Sequence, residues 1–348
     1  MSDQINDTKT AGTAGVVTRR SLLLSLPGLA LARRRLLAQE QAAPLAVLGL
    51  HQVTLAVSDL ERSLDFYQGL FGMPVQARHE GTILLRIGDG PHFMALTEAG
   101  SQPPSISRFG LAVEDYDVGR IVSTLAGHDV TPGDWMQTSS GVGWSGGPMR
   151  IGMTNRGGTR ELHMGDPNGL VIQLHDPSYC GGGGSLGDRC GPPEPSPTGG
   201  SIALSGLSHL TINVPDPVVT NEFYQQTFGM DIQTYQAASP LMGVGPGVHF
   251  LMFTSSGGGG ARINHISLSL ENFDVERIQG ELEEHSIMPR GEDPAGPLQH
   301  RVSMRMPNRG GAADGTPELY FSDPDGLSIQ LQDVTYCGGG GYLGGVCP

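Results

Sequence analysis

The chain repeats itself at an offset of 157 residues, and a duplicated unit of that size fixes the domain count before any single residue is weighed. Phe66-Tyr67-Gln68 and Phe71-Gly72-Met73 return as Phe223-Tyr224-Gln225 and Phe228-Gly229-Met230. His92-Phe93 returns as His249-Phe250, Glu161-Leu162 as Glu318-Leu319, and Asp166-Pro167-Asn168-Gly169 as Asp323-Pro324-Asp325-Gly326. Asn155-Arg156-Gly157-Gly158 matches Asn308-Arg309-Gly310-Gly311 at 153, which places a compensating four-residue insertion at about Ala312–Gly315. The repeats cover 47–190 and 203–348. The Pro- and Gly-rich bridge 191–202 reads as a linker.

Within each repeat one pattern occurs twice: a strand, a helix, then several strands. In the second repeat His209–Val214 alternates and is rich in β-branched residues. Asp216-Pro217 starts a helix that stops at Gly229, and a strand is expected over Val248–Thr254. His265–Leu270 restarts the cycle, with a helix from about Asp274 to His285. Glu318–Phe321 and Leu327–Gln332 are strands joined by a turn at Asp323–Gly326. The fold class is α+β, with four βαβββ modules, two per domain. Gly is 53 of 348 residues and has no three-residue period, which fits many tight turns and excludes collagen.

Residues 1–46 read as a leader. Thr18-Arg19-Arg20-Ser21-Leu22 runs into an apolar stretch ending at Ala32, too short to span a bilayer, and resembles a twin-arginine export signal. That implies recognition by the twin-arginine machinery, cleavage after Ala32 or Ala38, and a periplasmic or secreted product without a stable membrane span. The net charge is −14 and the leader is basic, so the body is strongly acidic and nucleic acid is excluded as a partner. Four cysteines, Cys180, Cys190, Cys337 and Cys347, stand in two Gly-rich segments with nine residues between the members of each pair. An even, matched count suits two disulfides in an oxidising compartment, paired within each repeat or across them.

Beyond residue 46 the chain resembles the vicinal oxygen chelate superfamily of glyoxalase I, bleomycin resistance proteins and extradiol dioxygenases. The resemblance rests on the opening strand with His209, the Phe-Tyr and Phe-Gly-Met motif, and Glu318-Leu-Tyr-Phe-Ser-Asp-Pro-Asp-Gly326. It implies two tandem β cups, each able to hold a divalent metal that chelates two adjacent substrate oxygens. In the second cup the ligand positions fall on His209, His265 and Gln330, two imidazoles and an oxygen donor, as on a non-haem Fe(II) face. Gln330 stands where the family has Glu and is a neutral, weaker ligand. In the first cup the same positions hold Gln52, Arg108 and Gln173. Arg108 cannot ligate a cation, so that cup is expected to be metal-free and structural. His51 is expected to point to the opposite face of its strand from Gln52.

The resemblance also implies a catalytic Tyr320, ten residues before Gln330, and an acid/base His249, although His249 has the counterpart His92 in the first half. His300 is a loose substitute for a further family histidine. Glu318 is the nearest acid to the site, and its counterpart Glu161 in the metal-free half argues for structural roles for both. Three functions are open. The first is an extradiol-type ring-cleaving dioxygenase with Fe(II) or Mn(II) acting on a small vicinal-oxygen substrate. The second is a metal-dependent isomerase or lyase of glyoxalase or epimerase type. The third is a metal-free binding protein whose apolar cup is lined near Met252, Met304 and Met306. Oligomerisation is also open, since four modules in one chain can close two cups without a partner chain.

Overall fold

The computed structural model describes residues 44–348 apart from 80, 139–140, 145–146 and 157. The leader, with Arg19, Arg20 and both cleavage positions, lies outside the described residues. The first repeat contains β1 (Val47–Val57), α1 (Leu60–Phe71), β2 (Val75–His79), β3 (Thr82–Ile87), β4 (His92–Glu98) and β5 (Ser105–Val113). It continues with α2 (Val118–Ala126), β6 (Thr131–Pro132), β7 (Trp135–Thr138), β8 (Gly141–Trp144), β9 (Arg150–Arg156), β10 (Thr159–Gly165) and β11 (Val171–His175). The second repeat contains β12 (Gly206–Val214), α3 (Pro217–Phe228), β13 (Ile232–Gln236), β14 (Ser239–Gly243), β15 (Phe250–Ser255) and β16 (Arg262–Leu270). It ends with α4 (Val275–Glu284), β17 (Met288–Pro289), β18 (Gln299–Arg305), β19 (Thr316–Ser322) and β20 (Ser328–Asp333).

The elements start and stop where local chemistry requires. An aspartate caps each helix: Asp59, Asp117, Asp216 and Asp274 accept backbone N–H groups of the first turn. Pro217 follows at the first helical position of α3, where its missing N–H is of no consequence. Gly229 ends α3 in the left-handed region at φ 62°, a conformation that costs a side-chain-bearing residue more.

Each repeat forms one nine-stranded sheet. The orders are β2-β3-β4-β1-β5-β11-β10-β9-β6 and β13-β14-β15-β12-β16-β20-β19-β18-β17. The two orders are the same, so the duplication seen in the sequence is a duplication of topology. The central strands carry the apolar core: Leu207, Leu210, Ile266, Leu268, Ile329 and Leu331 are inaccessible to solvent. Both cysteine pairs close within their own repeat, Cys180 with Cys190 and Cys337 with Cys347, each at a Cα separation of 6.3 Å.

Strand register revises one sequence match. Arg156 pairs with Thr159 across β9 and β10, and Arg305 pairs with Thr316 across β18 and β19. Arg305, not Arg309, is therefore the structural counterpart of Arg156. The extra residues of the second repeat form the loop between Arg305 and Thr316, which includes a 3-10 turn at Pro307–Arg309.

The repeats are not beads on a string. Thr198 Oγ1 donates to Gln68 O at 2.8 Å, Glu194 pairs with Arg78, and Ile202 is buried, so the bridge lies along the first repeat. Two reciprocal hydrogen bonds latch the halves: Tyr67 Oη to Asp323 Oδ2 at 3.0 Å and Tyr224 Oη to Asp166 Oδ2 at 3.2 Å. The Phe-Tyr motif of each helix thus reads the Asp-Pro-x-Gly turn of the other repeat. Burial pushes both carboxyls up to about 6, against the backbone N–H groups they accept.

A seam of histidines runs between the halves. The His51 ring lies 5.8 Å from His92 and 5.6 Å from His175, and His92 lies 5.4 Å from His249. Burial and mutual repulsion lower His51 to about 3, and burial lowers His92 and His175 to about 4.

Two predictions follow from this packing. Tyr67→Phe takes the one donor from Asp323 Oδ2, leaving only the backbone N–H groups on Oδ1, and should cost about 1–3 kcal/mol in denaturant unfolding; Tyr224→Phe should also destabilise, and a loss near zero for both would rule out the latch. The histidines titrate near 6.5 when unfolded and lower when folded, so the unfolded chain takes up protons first on acidification. Stability should be full above about pH 7 and fall towards pH 4, by up to about 1.4 kcal/mol per pH unit for each such histidine. Asp166 and Asp323 oppose this between about pH 6 and 4, because their folded pKa is raised. Calorimetry of the pair His51→Ser and His175→Gln, which copies the second repeat, should give a flatter pH profile.

Candidate metal centre

Strand register puts the candidate residues in one row. Across the second sheet, Phe250 pairs with His209, His209 with Ser267, Ser267 with Gln330, Gln330 with Tyr320 and Tyr320 with Arg301. His265 is two residues from Ser267 on β16, so its side chain leaves the same face. His209 and His265 meet edge to face with ring centroids 5.8 Å apart.

Each imidazole is held by its Nδ1 side. Asn264 Oδ1 lies 2.9 Å from His265 Nδ1, and Ser208 Oγ lies 3.2 Å from His209 Nδ1. With His265 Nδ1 donating to Asn264, its Nε2 carries a lone pair. That Nε2 is buried and makes no well-formed hydrogen bond, with the Gln330 amide beside it. His209 Nε2 lies 3.2 Å from Gln330 Oε1. In the metal-free cup His209 Nε2–H donates to that oxygen; moving the proton to Nδ1, with Ser208 Oγ as acceptor, frees both atoms. Burial lowers His265 to about 4 and His209 well below the usual imidazole value, so both are neutral at physiological pH, as metal ligation requires. The side-chain donors in this row therefore fit a divalent ion: two neutral imidazoles, each oriented from behind, and an amide oxygen. Among the described residues no group of three or more His, Cys, Asp or Glu is placed to hold a metal; here the third donor is an amide.

The wall is apolar on one side. Phe250 stacks on His209 at 4.2 Å, and Tyr336 lies against it at 5.4 Å. Leu241, Phe250, Met252 and Tyr336 form a small cluster separate from the main core. Met304 and Met306 are instead exposed: Met304 lies on the face of β18 opposite the buried Arg305, and Met306 follows the end of that strand.

Glu318 is committed elsewhere. Its Oε1 accepts from Arg305 Nε at 2.8 Å and Tyr336 Oη at 3.0 Å, and its Oε2 accepts from Tyr320 Oη at 3.1 Å. Glu161 holds the same post, with Arg156 Nε at 2.8 Å and Tyr179 Oη at 2.6 Å. Burial would raise Glu161, but the Arg156 and Tyr179 bonds overcome it and hold the carboxyl at about 2. Tyr320 does reach the site: its ring meets His265 edge-on at 5.2 Å, with the Arg301 guanidinium 4.4 Å from its face. Burial and Glu318 raise its pKa well above the tyrosine value.

His249 is not brought into this group. The strand begins at Phe250, and Phe250 faces the cup, so the preceding residue turns the other way and packs on His92. His300 also lies apart, with its Nε2 3.4 Å from Glu283 of α4. Asn264, Ser208 and Phe250 were not singled out in the sequence, although their adjacency or pairing to the ligand positions was a usable signal.

The sequence profile of the Glyoxalase/Bleomycin resistance protein/Dioxygenase superfamily matches residues 49–174 and again 206–331. The chain belongs to that superfamily. Its tandem cups are superimposable on several solved structures. The 2,3-dioxygenase LapB from Pseudomonas sp. KL28 is 15% identical, with a TM-score of 0.58 over 88% of this chain and 95% of its own. Homoprotocatechuate 2,3-dioxygenase from Arthrobacter globiformis is 18% identical, with a TM-score of 0.54 over 83% and 81%. The Mn(II)-bound glyoxalase from Novosphingobium aromaticivorans is 14% identical, with a TM-score of 0.55 over 82% of each chain. Such identities speak for the superfamily fold alone. No curated protein sequence matches the chain.

The anchoring of His265 can be tested without activity. Asn264→Leu removes the Nδ1 acceptor and leaves the ring free to turn. Mn(II) binding followed by electron paramagnetic resonance should weaken about 10–100-fold, as for the loss of other groups that orient metal-ligating histidines. Unchanged affinity would mean that Asn264 does not orient the ring.

Proposed function

We propose that the second cup is the active site of a metal-dependent, extradiol-type ring-cleaving dioxygenase of this superfamily, acting on a small molecule with two adjacent oxygens. The observation that carries the reading is His265 Nε2: a buried imidazole nitrogen with no well-formed hydrogen bond, oriented by Asn264, beside the Gln330 amide and in the row of His209. An unsatisfied buried acceptor is costly, and a cation is what this one suits.

His209, His265 and Gln330 would hold Fe(II) or Mn(II), which when bound supplies Lewis acidity toward two adjacent substrate oxygens. The chain's own part is binding and orientation. Phe250, Met252 and Tyr336 offer an apolar wall to a planar ring. Tyr320, fixed by Glu318 and faced by Arg301, closes the side next to His265. Its hydroxyl reaches a substrate oxygen only by leaving Glu318, so we assign it positioning of His265 and the ring. His249 receives no proton-transfer role, since its ring lies against His92. Gln330 in place of a carboxylate leaves one more positive charge on the site and favours an anionic, catecholate-like substrate.

The isomerase and lyase reading needs a base in the cup. Glu318, the nearest carboxylate, accepts from three donors, which disfavours it. The two disulfides suit an oxidising compartment, so the reading includes export by the twin-arginine route after removal of the leader, with domains at 47–190 and 203–348.

Elemental analysis of protein expressed with its leader tests the centre. One iron or manganese per chain is expected, lost in His265→Ala, with Gln330→Glu binding at least about tenfold more tightly, roughly 1.4 kcal/mol. Metal-free preparations throughout, with Mn(II) failing to bind on titration, would leave a metal-free binding protein as the better account.

A further inference from the structure

The first cup repeats the row with different chemistry. Phe93 pairs with Gln52, Gln52 with Gly110, Gly110 with Gln173 and Gln173 with His163. Arg108 is two residues from Gly110 and occupies the place of His265, opposite Thr54. Its Nε donates to Thr54 Oγ1 at 3.2 Å, and among the described residues no carboxylate forms an ion pair with it. The nearest acid, Glu161, is engaged by Arg156 and Tyr179. Arg108 faces Glu161, Tyr179 and Arg156, and burial together with that second guanidinium pulls its pKa down. It remains a cation all the same.

The row also holds a buried amide donor. Gln52 Nε2 donates to Gln173 Oε1 at 3.1 Å, which leaves the Gln173 Nε2 amide, on a side chain 2% exposed, with the Tyr179 hydroxyl as its one neighbouring acceptor and a second N–H to spare, while Gln52 Oε1 is left without a donor. His163 and His175, lowered by burial to about 3 and 4, add no charge at neutral pH. Two arginines against one glutamate leave the cup with a single excess positive charge. Leu84, Phe93 and Ala95, with Ala77 beside them, form an apolar cluster apart from the main core, as Phe250 and its neighbours do in the second cup.

A half-buried guanidinium without an ion-pair partner, a buried amide with an N–H to spare and an apolar wall together suit an anion rather than a metal. We propose that the first cup is a second ligand site, taking a small monocarboxylate whose oxygens sit on the Arg108 guanidinium and the Gln173 amide and whose apolar body lies on the Phe93 wall. The excess charge of one favours a monoanion over a phosphate dianion. The planar guanidinium offers paired N–H donors to a carboxylate. The site stands independently of the metal reading of the second cup.

Benzoate is the probe, titrated calorimetrically into the full chain at low chloride. The expected result is saturable binding at one site per chain. Binding should be lost in Arg108→Gln and about tenfold or more weaker in Arg108→Lys, which keeps the charge but not the fork. Gln173→Leu should also weaken it, and His265→Ala should leave it unchanged. If Arg108→Gln does not fold, the Lys and Leu variants carry the test, and benzoate should raise the melting temperature of the natural chain more than theirs. Affinity unaffected by Arg108→Lys and Gln173→Leu, no saturable binding by the natural chain, or tighter binding of inorganic phosphate than of benzoate would each overturn the proposal.

Discussion

An arginine–carboxylate pair, fully buried in the second cup and half-buried in the first, holds the closing half of each cup, and the site geometry depends on it. Arg305 is fully buried, and beyond Glu318 it donates from Nη2 to Gly339 O at 2.9 Å, inside the disulfide loop. Arg156 does the same for Glu161 and Gly181 O. The pair ties β9 to β10 and β18 to β19, pins the Gly-rich loop beneath them, and lends the carboxylate to the tyrosines. Removing one partner would strand a charge in the interior, a loss that typically costs about 3–5 kcal/mol. Tyr336 and Tyr320 are therefore rigid, and the faces they present to His209 and His265 are rigid with them.

On that shared frame the two cups differ at a few positions. The row through Gln52, Gly110 and Gln173 became an amide pair beside an arginine; the row through His209, Ser267 and Gln330 became a pair of neutral imidazoles beside an amide. Each makes one hydrogen bond across the row and leaves two buried polar atoms without a well-formed one, Gln52 Oε1 and Gln173 Nε2 in the first, Ser267 Oγ and His265 Nε2 in the second. What stands beside them differs in character: the Arg108 guanidinium in the first, and a pair of neutral imidazoles in the second. The first suits an anion and the second a cation. The seam between the repeats is a third set of choices, with His51 and His175 where the second repeat has Ser208 and Gln332.

Much of this was legible in the sequence because it is local or periodic. The helix caps, the Asp-Pro-x-Gly turns and the disulfide pairs each lie within a few residues of chain. The meeting of His209, His265 and Gln330 follows from strand alternation once the modules are recognised. Two things were hidden by long-range pairing. The identity of Asn155-Arg156 with Asn308-Arg309 masked the true partner Arg305, which only the strand register exposes. His249 was singled out because the resemblance places an acid/base histidine on the strand before the second ligand; here Phe250 takes the cup face and the His249 ring packs on His92 at the seam. The Tyr67–Asp323 and Tyr224–Asp166 latch joins motifs that were both visible, but nothing in the chain order says that each motif serves the other repeat.

The central claim is that one cup seats a cation and its twin does not. Diffraction from crystals soaked in Mn(II), recorded near the manganese edge, tests it most directly. The account predicts one strong anomalous peak per chain, between His209, His265 and Gln330, and none beside Arg108. A peak in the first cup, or a second cup without one, would contradict it.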